Sequence, residues 1–475
     1  MPGSPINYSN SGKNQDRMIF CHGGASMEKI AGKTVSEWVE SLPLLDKIMK
    51  GEPVFWINTS ARKMGKVPDF AVTKDDIYEA EQLWKRFAPF LKKAFAGTKD
   101  GAIESPVKSL KEMKKDLSSY YDQPFEGEFY LKCDHDLPIS GSIKARGGVF
   151  EVLSYAEKLA LENNMVSKED NYEVFLDSSF KQFFSQYTIG VGSTGNLALS
   201  IGTISAKLGF TVEVHMSADA KQWKKDLLRK KGAKVYEYKG DFSEAITQGR
   251  SITMDDPLGY FVDDEDSKAL FLGYSVAALE LKRQLDEEGI RVDKDHPLFV
   301  YLPCGVGGSP GGITFGLKEV FGDHVHCLFV EPTHSPSVLL GVMTGEHEKV
   351  SVQDFGLDNL TEADGLAVGR PSRFATEISQ YLVSGFYTME DDEMYRLLAL
   401  LADSENVYVE PSAASGLSGP LRLKESGILE ENGWKDKMGR AVHLTWSTGG
   451  SLVPDQDREK FYQKGKSLLT PVTES

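Results

Sequence analysis

Cysteine is scarce: four in 475 residues, Cys21, Cys133, Cys304 and Cys327, with no Cys-x-x-Cys spacing. That argues against a disulfide framework and a cysteine zinc site, and it fits a reducing compartment, so the expected location is the cytoplasm. No apolar run approaches the ~18 residues of a membrane span; residues 397–401 form one of the longest. Residues 1–16 are polar and hold no apolar core of a secretory signal, so none is expected. Positive charge is in the minority, with 54 Lys and Arg against 70 Asp and Glu, a formal net charge of −16. A field of that sign repels phosphate backbones and anionic lipid, which disfavours nucleic acid and membranes as partners and leaves small molecules. Low-complexity tracts and internal repeats are missing too.

Glycine is in excess, at 45 of 475 residues, against a usual ~7%. Its placement follows the secondary-structure pattern. From residue 129 on, strand and helix signals alternate: strands at 129–132, 187–191, 210–216, 234–238, 260–262, 298–302 and 325–330; helices at 143–161, 196–208, 220–231, from 243, at 270–285 and at 312–321. Such alternation predicts an α/β fold with parallel sheets covered by helices. The first 130 residues are mixed, with an amphipathic stretch near 75–94 and a charged one near 104–117. In open parallel sheets, ligands gather beyond the carboxyl ends of the strands. Clusters rich in Gly, Ser and Thr fall at those places.

The first cluster, Ser140-Gly141-Ser142-Ile143-Lys144-Ala145-Arg146-Gly147-Gly148, puts Lys144 in the first turn of a helix. The positive end of the helix dipole disfavours an ammonium there and predicts a lowered pKa, as Schiff-base chemistry requires. An exposed lysine at a helix start is the plain alternative. The second, Gly190-Val191-Gly192-Ser193-Thr194-Gly195-Asn196, matches the G-x-G-x-x-G of dinucleotide folds. The acidic residue that fingerprint wants at the end of the second strand is missing, since that strand closes on His215-Met216-Ser217 and Asp219 belongs to the next turn. Ser193, Thr194 and Asn196 suit a carboxylate and a phenolic oxygen better than a pyrophosphate; a ligand-free tight turn stays open.

The third cluster, Gly305-Val306-Gly307-Gly308-Ser309-Pro310-Gly311-Gly312, lets several backbone N–H groups converge on one anion at a helix start. It lacks the Gly-Lys-Ser/Thr of a nucleotide-triphosphate loop, so the phosphate of a cofactor is the natural guest. The fourth, Ser447-Thr448-Gly449-Gly450, offers a hydroxyl on another strand end. Other candidates are weaker. His324 and His326 read as a solvated strand-edge pair, Asp134-His135-Asp136 lacks the geometry of a triad, and 221–231 with Trp223 reads as a solvated lysine face.

Together these clusters resemble the fold-type II pyridoxal-phosphate enzymes. Within them, the runs 137–148 (LPISGSIKARGG), 215–220 (HMSADA) with 222–225 (QWKK), 331–336 (EPTHSP) and 364–369 (DGLAVG) are similar to the D-serine dehydratase family. So is the long insertion at 163–186, which separates Lys144 from Asn196. The resemblance spans nearly the whole chain. It implies two domains with parallel-rich twisted sheets flanked by helices and the cofactor in the cleft between them: a large cofactor-binding domain from 1–155 and 269–475, and a smaller, mobile one from 156–268.

The resemblance also implies roles. Lys144 would hold pyridoxal 5'-phosphate as a Schiff base, with the phosphate on Gly305, Val306, Gly307, Gly308 and Ser309, the phenolic oxygen on Asn196 and the ring nitrogen on Thr448. Ser193, Thr194 and Gly195 would receive the substrate carboxylate, and either Lys144 or Thr194 would take the Cα proton. A monovalent or divalent cation is expected near Glu331 and the backbone of 364–367. Ser309 is a departure, standing where relatives often carry glycine; its N–H survives, provided its φ is not positive.

A hydroxyl opposite the ring nitrogen makes a moderated electron sink, which favours elimination over transamination. The expected reaction is therefore conversion of D-serine to pyruvate and ammonia, extending to D-threonine and 2-oxobutanoate, in a monomer or small homo-oligomer. An L-serine or L-threonine dehydratase or a β-replacement synthase is the alternative within this cofactor class. A nicotinamide-dependent oxidoreductase and a non-catalytic binding protein are the alternatives outside it.

Overall fold

The computed structural model describes residues 29–469, apart from Thr194, Asp219, Gly240, Asp241 and the side chains of 242–245. Its strands are β1 (Phe55–Ile57), β2 (Val107–Ser109), β3 (Glu128–Lys132), β4 (Thr188–Gly192), β5 (Thr211–Ser217), β6 (Lys234–Tyr238), β7 (Gly259–Val262), β8 (Leu298–Pro303), β9 (Val325–Pro332), β10 (Gly385–Met389) and β11 (Val442–Trp446). They form a seven-stranded sheet in the order β1-β10-β9-β8-β11-β3-β2 and a four-stranded sheet in the order β6-β5-β4-β7. The small sheet is parallel throughout. In the large one only the edge strands β1 and β2 run antiparallel. The expected α/β class with parallel-rich sheets and flanking helices is what forms.

The central strands explain themselves chemically. All six residues of β8, Leu-Phe-Val-Tyr-Leu-Pro, are buried, because helices cover both faces of a parallel sheet and leave no polar side for alternation. The amphipathic stretch near 75–94 is the helix Lys74–Ala94, opened by a capping box between Thr73 and Asp76. It buries Ile77, Leu83, Phe87 and Phe90. Phe87 meets Tyr172 and Phe175 at ring-centre distances of 4.8 Å, so the long insertion is anchored by aromatic packing to this N-terminal helix.

Three elements differ from the sequence pattern. The stretch 143–161 begins as a wide π turn, Ala145–Val149, before the α-helix Phe150–Glu162. The stretch 270–285 is two helices, Lys268–Ser275 and Ala277–Glu287. The helix expected at 312–321 starts at Gly308, so the glycine cluster itself supplies its first turn. His326 corrects another expectation: β9 is a central strand, and the ring packs on Trp434 at 3.9 Å and Phe299 at 5.2 Å rather than facing solvent.

Candidate active site

Lys144 immediately precedes the π turn and follows a bridge between Ser142 and Gly449. The turn packs too tightly for side chains: a Cβ on Gly147 would lie 2.4 Å from the Tyr274 ring, and one on Gly148 would lie 2.6 Å from Ser200 Oγ. Ser200 Oγ donates to the Lys144 carbonyl at 2.8 Å, holding the backbone in place. Nζ points to Asp264 Oδ2 at 3.1 Å and lies 5.9 Å from the centre of the Tyr274 ring.

The lowered pKa expected from the helix dipole is not what this arrangement gives. Burial pulls the Lys144 ammonium down, but the Asp264 carboxylate and Tyr274 outweigh it, and the net shift is upward. A full charge at 3.1 Å exceeds the partial charge of one irregular helix end. Two polar atoms beside the amine, Asp264 Oδ1 and the Tyr274 hydroxyl, are buried and make no hydrogen bond among the described residues.

The glycine cluster faces the same point. A Cβ on Gly308 would stand 3.8 Å from Asp264 Oδ1. Among the described residues, the backbone N–H groups of Gly305, Val306, Gly307, Gly308 and Ser309 find no acceptor. Gly307 alone among these takes a left-handed conformation, φ 102°. Ser309 is a buried helical residue outside the positive-φ set, so its side chain introduces no backbone strain.

Asn196 begins the helix Asn196–Leu208 and donates through Nδ2 to Glu410 Oε1 at 2.9 Å. Ser412 Oγ donates to the same oxygen at 3.2 Å. Burial pushes the Glu410 carboxyl up, against the pull of Lys224. Thr448 sits beside the lysine turn, its carbonyl accepting from the Ile143 N–H at 2.8 Å. Next to it, a Cβ on Gly449 would lie 2.9 Å from Asn196 Nδ2. Ser193 N–H donates to the His215 carbonyl at 3.1 Å, and its Oγ accepts from the Gly195 N–H at 3.2 Å. Thr194 lies outside the described residues. These contacts bring Lys144, the Gly305–Ser309 turn, Asn196 and Thr448 close together.

Glu331 is the penultimate residue of β9, and its two oxygens accept from the N–H groups of Val338 and Leu339, each at 2.8 Å. Burial raises its pKa to about 8 against those two bonds. No cluster of three or more His, Cys, Asp or Glu side chains suited to a metal occurs among the described residues.

Sequence reasoning missed Asp264, Tyr274 and Glu410, which reach the cleft from positions distant in the chain and carry no local motif. It also misread the lysine stretch at 221–231: Lys224 and Lys225 are buried and paired with Asp364 and Glu237. Their side chains are polar, and hydrophobic pattern carries no signal for a buried ion pair.

Residues 116–436 match the family model described as pyridoxal-phosphate dependent enzyme. The chain belongs to the pyridoxal-phosphate-dependent enzymes. It is 54% identical over 443 residues to a probable D-serine dehydratase of Geobacillus stearothermophilus, covering 92% of this chain and 96% of the relative. A probable D-serine dehydratase of Halalkalibacterium halodurans is 54% identical over 431 residues, covering 90% and 98%. Among solved structures, diaminopropionate ammonia lyase from Escherichia coli in complex with D-serine gives a TM-score of 0.67 at 17% identity, over 88% of this chain and 99% of that one. The processed form of threonine deaminase isoform 2 from Solanum lycopersicum gives 0.58 at 20%, over 87% and 96%. At those identities the structural likeness speaks for the fold.

The site suits the family's cofactor. Free N–H groups at a helix start, without side chains to fill the space before them, are a cradle for a phosphate. The Lys144 amine pairs with the Asp264 carboxyl that neighbours Gly308, and the Asn196 amide lies near Gly449, next to Thr448.

Proposed function

We propose that the protein removes water from D-serine, releasing pyruvate and ammonia, with pyridoxal phosphate held at Lys144. The observation that carries this reading is the Lys144–Asp264 pair at 3.1 Å, set against the glycine cradle, in a chain 54% identical to proteins named as probable D-serine dehydratases. When bound, pyridoxal phosphate draws electrons from the substrate Cα. The phosphate is assigned to the N–H groups of Gly305 through Ser309, and the ring to Asn196 and Thr448.

The substrate carboxylate is assigned to Ser193, Thr194 and Gly195. Lys144 Nζ takes the Cα proton, and Asp264 Oδ2 receives it across the 3.1 Å contact and delivers it to the departing β-hydroxyl, which leaves as water. The enamine that is released tautomerises and hydrolyses to pyruvate and ammonia. Asp264 thus adds a role that the motifs did not carry. D-Threonine is the expected second substrate, since its extra methyl changes neither proton path.

The division into 1–155 with 269–475 and 156–268 puts Lys144, the glycine turn and Thr448 on one side and Ser193, Asn196 and Asp264 on the other. Closure of the smaller domain would therefore complete the site. A cation near Glu331 and the backbone of 364–367 is a further part of this proposal: no Lys or Arg acts on that buried carboxyl among the described residues. Replacing potassium and sodium with a bulky organic cation in the assay tests it. The enzyme is read as cytoplasmic, and its described cysteines are unpaired.

The test is pyruvate release from D-serine by the cofactor-loaded protein and by Lys144→Ala. The reading requires release by the first and none by the second; no pyruvate from the first refutes it.

A further inference from the structure

Lys224 stands out among the described lysines that the proposed reaction leaves unused. It lies in the helix Gln222–Lys230 just after β5, and only 3% of it is exposed. Its Nζ donates to Asp364 Oδ2 at 3.1 Å, on the short 3-10 turn Asp364–Leu366. The same Nζ lies 3.8 Å from where a Cβ on Gly195 would be. It also acts on the buried carboxyl of Glu410, the acceptor of Asn196. A single ammonium thus stands beside Gly195 on its own side and near two carboxyl groups on the other.

We propose that Lys224 is a positioning residue for substrate: it holds the loop at Gly195 against the Asp364 turn and adds positive potential where the substrate carboxylate docks. The inference rests on the proposed reading of that loop. A buried lysine costs several kcal/mol in desolvation unless its charge is matched. Asp364 matches part of it, although the Asp364 side chain is itself 36% exposed. Gly195 lies on the other side of Nζ, with the position of an added Cβ 3.8 Å away, and a carboxylate arriving there would complete the pairing. Gly195 has no side chain to screen that approach.

Lys224→Met keeps the length of the side chain and removes the charge, Lys224→Arg keeps the charge, and Asp364→Asn weakens the tether from the opposite domain. Each is made as the cofactor-loaded full chain. D-Serine turnover is measured together with the equilibrium binding of D-alanine, which carries the carboxylate but no leaving group, through its effect on the cofactor's visible absorption. In Lys224→Met the KM for D-serine and the Kd for D-alanine should each rise about ten-fold or more, with kcat within about three-fold of the parent. Lys224→Arg should recover most of the affinity. Adding Asp364→Asn to Lys224→Met should cost less than it does alone, because the two share one contact.

Unchanged D-alanine affinity in a folded Lys224→Met, or a loss confined to kcat, overturns the proposal while leaving the D-serine reading intact. Should Lys224→Met not fold, parental affinity in Asp364→Asn together with a Lys224→Arg no better than Lys224→Gln overturns it. A parent protein that binds D-alanine but makes no pyruvate from D-serine refutes the reaction instead, and the D-alanine series still decides the role of Lys224.

Discussion

Arg146 grips Asp134 through two parallel bonds, Nε to Oδ2 at 2.6 Å and Nη2 to Oδ1 at 2.8 Å, with both side chains buried. The third arm, Nη1, reaches Glu280 at 2.7 Å, and Lys132 completes a neutral set of four buried charges. Trp446 Nε1 also donates to Asp134, at 2.7 Å. Asp134 follows β3, Trp446 ends β11 two residues before Thr448, and Arg146 lies two residues beyond Lys144. One carboxylate therefore sets the lysine turn and the Thr448 segment relative to each other.

Removing that carboxylate leaves the buried set with one uncompensated positive charge. Asp134→Ala is expected to destabilise the protein by about 3–5 kcal/mol, measured by urea unfolding of the cofactor-free protein. Asp134→Asn, which keeps the size and one acceptor, should cost less.

Asp264 is expected to act on the leaving group rather than on binding. Asp264→Asn should lower kcat for D-serine by about 100-fold or more with KM little changed. With β-chloro-D-alanine, whose chloride departs without a proton, most of that loss should vanish. Equal losses on the two substrates would contradict the leaving-group role.

Glu151 is buried and accepts from Tyr260 Oη at 2.9 Å and Ser267 Oγ at 2.6 Å. Burial lifts its pKa from 4.5 to about 7, against those two bonds. A carboxyl with a raised folded-state pKa binds its proton more tightly in the folded protein. Its contribution to stability is therefore complete below 4.5 and lost as pH rises to about 7. Glu151→Gln cannot ionise. The stability of the parent relative to this variant should fall by roughly 3 kcal/mol across that window, read from urea midpoints at a series of pH values.

The glycine turn separates two effects. Gly307 has φ 102° and is flanked by Val338 and Ala375, whose nearest carbons would stand 3.2 and 3.3 Å from an added Cβ. Gly307→Ala should cost about 1–3 kcal/mol of stability and weaken cofactor binding, followed by fluorescence titration of the cofactor-free protein. Ser309→Gly should leave cofactor affinity within about three-fold, since the residue contributes a helical N–H whichever side chain it bears.

The sequence made the α/β alternation and the glycine-rich turns at strand ends legible, because strand and helix periods and strand-end loops are local signals. It did not expose Asp264, Glu410 or the buried Lys224. Each acts through a partner more than 100 positions away, and neither spacing nor hydrophobicity encodes such a meeting. The Lys144 pKa shows the same limit: the helix start was visible, but the carboxylate that reverses its effect arrives from another part of the chain. The insertion at 163–186 reads as polar and aromatic, and its Tyr172 and Phe175 are buried against Phe87, a contact that no local pattern announces.

The most direct test of the account is stereochemical. The cofactor-loaded protein is offered D-serine and L-serine separately, and pyruvate is followed from the first seconds. The account predicts a kcat/KM for D-serine at least ~100-fold above that for L-serine, and no product in Lys144→Ala. A faster reaction with L-serine would contradict it.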